Sequence, residues 1–78
     1  MGQAYDPSPV ENAKSELIAA LQKEAELTRR RSQRLVEIAK RLPTPQEQSD
    51  VIAMALAEGR AAEAIDRAVE FLREQEKS

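Results

Sequence analysis

The residue types best suited to catalysis are missing from this sequence of 78 residues. It contains no Cys, His or Trp, and its only aromatic residues are Tyr5 and Phe71. Thiolate nucleophiles, imidazole bases, disulfides and the usual zinc ligands are therefore excluded. Its two glycines, Gly2 and Gly59, form no phosphate-binding loop. We expect no catalytic site, metal, cofactor or small-molecule substrate; among the carboxylates, only Glu24 would be a candidate catalytic group, and it would need a raised pKa in a pocket.

A cluster of arginines is the feature that could bind phosphate. Residues 28–41 include six basic residues and one acidic residue. Arg29, Arg30 and Arg34 are the possible phosphate contacts, with Arg31 beside them, and they would suit a nucleic-acid-associated regulator of the antitoxin or repressor type. Against this, the net charge is −2, no aromatic residue alternates with the arginines, and residues 46–78 carry eight acidic and four basic residues. We expect charge pairing to neutralise the cluster, and nucleic-acid binding is the alternative function.

A row of apolar residues in the C-terminal half has the spacing of a coiled-coil seam. Its members follow one another at intervals of 3-4-3-4-3: Met54, Ala57, Ala61, Ala64, Ala68 and Phe71. Methionine adapts to irregular surfaces and phenylalanine offers a large apolar area, so both suit a docking surface. We predict that this row binds a partner chain. The alternative is that the row belongs to the core of the chain itself.

Three polar residues, Glu24, Thr28 and Arg31, fall on the otherwise apolar face of the N-terminal half, with Ser32 beside them. A charge on an apolar face is unfavourable unless it is paired. Glu24 and Arg31 could pair within the chain or across a dimer, forming a polar layer that sets register and oligomeric state. Alternatively, both long side chains extend to water from the edge of that face.

Two capping signals define two helices. Residues 8–11 and 44–47 each place a hydroxyl residue before a proline, with Glu three positions after the hydroxyl. This is typical of a capping box, in which the hydroxyl accepts a backbone N–H bond and the Glu reaches back to the N–H of the cap. Pro43 disfavours a helical conformation for the residue before it. We therefore predict helices over residues 9–41 and 45–76.

The equal helix lengths and the three-residue joint, Leu42-Pro43-Thr44, predict an all-α fold: an antiparallel two-helix hairpin. Residues 8–76 would form one domain, with flexible termini at 1–7 and 77–78. Folding at the joint would place residues whose numbers sum to about 87 opposite each other. Near the middle of the hairpin, around Gly59, these opposing residues are small, and we call this region the waist. Close packing of the helices explains the waist, and a pocket or crossing point for a partner is the alternative.

The predicted helices differ in their apolar surfaces. At 100° per residue, one face of the first helix collects Val10, Leu17, Leu21, Leu35, Ala39 and Leu42. The second helix is apolar on all sides over residues 51–57, which one partner helix cannot bury. Either Gly59 ends the helix and a three-helix bundle forms, or the helix continues and a homodimer makes a four-helix bundle. Since no N-cap follows Gly59, we favour the continuous helix, with or without a kink.

Two segments resemble parts of known families. Residues 56–65, around Gly59, resemble the middle of a tetratricopeptide repeat, which would imply a helical turn at the glycine. Glu58-Gly59-Arg60 followed by residues 64–68 resembles the helical part of ribbon–helix–helix antitoxins, which would imply DNA binding. In layout, the chain is similar to the small helical-hairpin co-chaperones of type III secretion needles. These resemblances identify no family.

These observations favour a non-catalytic protein–protein interaction module, an adaptor, inhibitor or small chaperone. Its partners would be a second copy in a homodimer, another protein, or both, and no membrane is expected. The longest apolar run, residues 51–57, is much shorter than the roughly 20 residues of a membrane span. The first residues lack the layout of a signal peptide, so we expect a cytoplasmic location.

Overall fold

A computed structural model shows an antiparallel hairpin of two long helices. It describes residues 9–77, and the side chains of residues 9–75. Helix α1 spans Pro9–Lys40 and helix α2 spans Pro45–Lys77, close to the predicted bounds. The predicted all-α hairpin is confirmed. The predicted flexible residues 1–7, Ser8 of the first capping box, and Ser78 lie outside the described residues.

The joint between the helices is held by the second capping box. The Thr44 hydroxyl accepts the backbone N–H of Glu47 at 3.2 Å, as predicted. The Glu47 carboxylate does not reach back to a backbone N–H; it accepts the Thr44 hydroxyl proton at 2.8 Å instead. The Gln48 side chain donates to the Leu42 carbonyl at 2.8 Å. These bonds fix the direction in which α2 leaves the joint.

The helices contact each other along two regular rows, which we call the inner seams. Their members are spaced alternately by three and four residues, the repeat of a coiled coil. The inner seam of α1 consists of buried and half-buried residues: Ile18, Leu21, Ala25, Thr28, Ser32, Leu35 and Ala39. The inner seam of α2 likewise comprises Gln48, Val51, Ala55, Glu58, Ala62, Ile65, Val69 and Leu72. The buried centre is rich in alanine, which lets the helices approach closely.

The apolar face predicted for α1 is partly wrong. Val10 and Leu17 are 66% and 46% exposed, whereas Leu21, Leu35 and Ala39 do lie in the inner seam. The prediction assumed a straight helix in which successive residues are 100° apart. Leu17 and Leu35 then have the same angle around the helix axis. A seam that repeats every 3.5 residues drifts by about 20° per heptad from that projection. Over a helix of this length the drift moves the N-terminal leucine out of the interface.

Helix α2 continues through Gly59 without a break, so the alternative three-helix arrangement is wrong. Across the apolar run 51–57, Ala55 is buried, but Ile52, Met54 and Leu56 are 43%, 56% and 57% exposed. A single neighbouring helix covers one side of this run and leaves the other sides in contact with water. Neither helix, over the described residues, has a stretch long and apolar enough to cross a membrane.

Candidate interaction surface

The six residues predicted to bind a partner form an exposed row, which we call the outer stripe of α2. All six, Met54, Ala57, Ala61, Ala64, Ala68 and Phe71, are exposed in the hairpin. Phe71, at 61% exposed, is among the most exposed large apolar side chains. At 100° per residue, the outer stripe lies roughly a third of a turn from the inner seam of α2. Helix α2 therefore has one apolar row that meets α1 and a second that faces water.

Two ion pairs between the helices mark the two edges of their interface. Arg29 pairs with Asp66, and Arg31 Nε lies 2.9 Å from a carboxylate oxygen of Glu58. Arg29 and Arg31 are separated by about 200° around α1, so they lie on opposite sides of the buried Thr28. The Arg31–Glu58 pair therefore identifies one broad side of the hairpin, and the Arg29–Asp66 pair identifies the other.

The outer stripe of α2 lies on the side of the Arg31–Glu58 pair. Met54 and Ala61 are four residues before and three residues after Glu58, which makes them its neighbours on the helix surface. On α1, Leu17 is two heptads before Arg31 and shares its edge. A second row therefore borders the same side, the outer stripe of α1: Val10, Ala13, Leu17, Ala20, Glu24, Leu27, Arg31 and Arg34, all of them exposed. We call this side, with both outer stripes, the outer face.

The predicted polar layer is only partly assembled in the hairpin. Thr28 is buried, with 4% of its surface exposed, and its hydroxyl accepts a bond from Arg31 Nη2 at 3.3 Å. Arg31 also reaches across to Glu58. Glu24 is exposed on the outer face, so the structure brings Thr28 and Arg31 together and leaves Glu24 apart from them.

Carboxylates of the chain itself neutralise most of the arginine cluster. Arg29 pairs with Asp66, and Arg31 pairs with Glu58. Arg30 pairs with Glu26, one turn earlier on α1, at 2.7 Å. Arg34 is exposed, and within the described part of the chain it takes part in no ion pair. Within the described part of the chain, two of the three candidate phosphate contacts, Arg29 and Arg30, are therefore engaged in ion pairs.

The waist predicted from small residues is a closely packed part of the interface. Ser32 Oγ donates to the carbonyl oxygen of Ala55 at 2.8 Å, a pair whose numbers sum to 87 as expected. A Cβ added to Gly59 would lie 3.9 Å from the same Ser32 oxygen, an ordinary van der Waals contact. A shallow groove runs along this part of the side opposite the outer face, next to Arg29 and Glu63.

Comparison of the chain with protein-family models, with curated proteins and with solved structures found no match.

The α1 half of the outer face was not predicted from the sequence. The 100° projection places Val10 and Leu17 on the face expected to meet the second helix, and it does not connect Ala13, Ala20 and Leu27 to the outer stripe of α2. The signal was present, because these residues are spaced by three and four, as the six residues on α2 are. Several rows have this spacing, and only the packing of the two helices decides which of them faces the other helix.

Proposed function

We propose that this chain is a non-catalytic interaction module that binds a helical protein chain through its outer face, centred on the outer stripe of α2. It would act as an adaptor, an inhibitor or a small chaperone. The outer face is a long, shallow, apolar surface, which suits an amphipathic helix laid along it.

One observation carries this proposal: several large apolar side chains are exposed on the surface of the hairpin. The buried apolar residues are Ile18, Val69 and four alanines. Seven larger ones are 38–66% exposed: Val10, Leu17, Leu27, Ile52, Met54, Leu56 and Phe71. Full burial of a side chain of this size contributes roughly 1.5–3 kcal/mol relative to exposure. A partner that covered the outer face would remove several of these side chains from water.

Size supports the same proposal. Below about 70–80 residues, a single hydrophobic core rarely supplies more than about 3–5 kcal/mol of stability, and small domains commonly use disulfides, metals or association with another chain. The sequence has no cysteine and no histidine. Association with another chain would stabilise the hairpin by covering its exposed apolar side chains.

The test is a capture experiment with a matched control. The tagged chain, its Met54→Asp/Phe71→Asp variant and a Ser49→Asp/Ala53→Asp control are each incubated with lysate of the source cells. The control adds the same charge to α2 at exposed positions outside the outer stripe. We expect the wild type and the control to retain the same specific protein, and the stripe variant to lose it. Equal retention by all three chains, each helical by circular dichroism, would contradict the proposal.

A further inference from the structure

Two charged residues of the outer stripe of α1 have no ion-pair partner in the part of the chain that the structure describes. They are Glu24 and Arg34, and both are exposed. Residue 29 lies midway between them, so the two charges are symmetric about its height on the helix. A second copy of α1 that ran antiparallel across this point would place Arg34 against Glu24, and the two-fold symmetry would form that pair twice.

We propose that the occupant of the outer face is a second copy of this chain, with the joints at opposite ends and the two-fold axis perpendicular to the helices. Rotation about this axis places α1 antiparallel to α1 of the second copy and α2 antiparallel to its α2. This inference rests on the proposed function and names the partner for it.

The outer stripe of α1 fixes the register of the two copies. When a row spaced by three and four residues meets itself in the antiparallel direction, the numbers of facing residues have one constant sum, and the allowed sums differ by seven. With a sum of 58, Arg34 faces Glu24, and Arg31 faces Leu27. The aliphatic part of Arg31 covers Leu27, while its charged end stays on Glu58 of its own chain.

The two adjacent registers of α1 are unfavourable. A sum of 51 places Arg34 against Leu17 and Glu24 against Leu27, so both charges would be covered by apolar groups. A sum of 65 places Arg31 against Arg34, which brings like charges together twice. The register with a sum of 58 pairs opposite charges and creates no like-charge contact, so the contact has electrostatic complementarity.

The outer stripe of α2 fits the same two-fold axis, and this is an independent observation. Within one hairpin, contacts between the helices join residues whose numbers sum to between 87, for Ser32 and Ala55, and 95, for Arg29 and Asp66. An axis at the height of residue 29 therefore crosses α2 between residues 58 and 66. The outer stripe of α2 is symmetric about a point between Ala61 and Ala64, which lies within that range. Each helix thus meets its own copy in register at the same time.

The facing residues on α2 are compatible in size. At the centre, Ala61 faces Ala64 of the second copy, so the two copies of α2 approach closely. Towards the ends, Met54 faces Phe71, and a methionine sulfur makes favourable contacts with an aromatic ring. A face of two helices, on the order of 50 Å by 20 Å, has room for the roughly 800 Å² per partner of a standard interface.

The arrangement with both joints at the same end lacks this pairing. It places α1 over α2 of the second copy, and in the register of the hairpin Arg34 would face Met54 and Glu24 would face Ala64. Both charges would then be covered without an opposite charge, which is unfavourable at a partly desolvated contact.

Exchanging the two charges tests the pairing. Glu24→Arg and Arg34→Glu each create two like-charge contacts in a dimer of one variant, whereas the double variant exchanges the charges and restores both pairs. We expect each single variant to dimerise with a Kd about tenfold higher than the wild type, since two contacts change sign. The double variant should regain wild-type affinity in sedimentation equilibrium. A double variant that dimerises no more tightly than the single variants overturns the inference.

A matched pair of variants controls for charge alone. Lys23→Glu and Glu70→Arg change exposed residues outside both outer stripes and alter the net charge by the same amounts. We expect each of them, and the two combined, to dimerise like the wild type. If they weaken the dimer as much as Glu24→Arg and Arg34→Glu do, the pairing is wrong. Circular dichroism of every variant checks that the helices are intact.

A distance measurement tests the orientation. Because the chain has no cysteine, Gln46→Cys introduces a single spin label at an exposed position at the start of α2. With the joints at opposite ends, the two labels lie about 50 Å apart; with the joints together, they lie within about 30 Å of each other. A dimer with the short distance overturns the arrangement.

The oligomeric state separates this inference from the proposed function. A strictly monomeric wild type overturns self-association, yet the proposed function stands if the chain captures a different protein and Met54→Asp/Phe71→Asp abolishes that capture.

Discussion

Alanine at the centre of the interface decides how closely the two helices pack. Ala25, Ala55 and Ala62 are each 1% exposed, and they lie where the backbones must come together. Nearby, the Ser32 hydroxyl reaches a backbone carbonyl of the opposite helix, a bond that requires close approach. The small size of alanine is what keeps the helices close here, because a longer side chain would separate them and break that bond.

We predict that Ala62→Leu lowers the free energy of unfolding by about 1–3 kcal/mol, since a core without free space must distort to accept extra methylenes. Ala53→Leu is the matched control, because Ala53 is exposed on the same helix and should tolerate leucine. Urea denaturation at one fixed protein concentration measures both. Equal stability of the two variants would show that the interface has room, contrary to this account.

Thr44, which caps the start of α2, is a second single residue that contributes to the stability of the hairpin. We predict that Thr44→Ala destabilises the protein by about 1 kcal/mol, because the backbone N–H of Glu47 loses its acceptor. Thr44→Ser keeps the hydroxyl and should retain most of the stability. If the alanine and serine variants unfold at the same urea concentration, the hydroxyl is not stabilising the helix start.

At the scale of the element, α2 carries two apolar rows on one helix. The inner seam meets α1 and the outer stripe faces water, and both have the spacing of coiled-coil seams. Gly59 lies within the helix and near the inner seam, where the structure shows neither a turn nor a positive φ angle. Glycine is therefore not required there by the backbone conformation.

We predict that Gly59→Ala stabilises the protein by roughly 0.5–1 kcal/mol, because alanine restricts the unfolded chain and favours the helix. The added Cβ would meet only the Ser32 oxygen, at 3.9 Å. Thermal unfolding followed by circular dichroism would show a higher midpoint. A lower midpoint would mean that the glycine is needed for a bend or a closer contact than the structure shows.

At the scale of the whole molecule, the balance between buried and exposed apolar surface decides how much the chain gains from association. The hairpin buries few large side chains and exposes seven of them. A folded state that associates gains stability from mass action, so its apparent stability depends on protein concentration.

We predict that the unfolding midpoint of the wild type rises by several degrees over a hundredfold increase in protein concentration. The Met54→Asp/Phe71→Asp variant should have a lower midpoint that does not depend on concentration. Differential scanning calorimetry at three concentrations distinguishes the two. A wild-type midpoint that is independent of concentration would contradict self-association through the outer face.

The amino-acid sequence by itself determined the helices, because capping, the proline joint and the absence of a capping signal after Gly59 are local effects. The spacing of the six residues of the outer stripe is likewise a local property, but it left open whether that row faces a partner or belongs to the core. Only the tertiary structure decided which apolar row of each helix is buried. Several rows satisfy the same spacing, and the drift between a 3.5-residue seam and a 3.6-residue helix moved Val10 and Leu17 to the surface. Packing also decided the partners of Arg29 and Arg31, because an ion pair between two helices depends on their relative rotation.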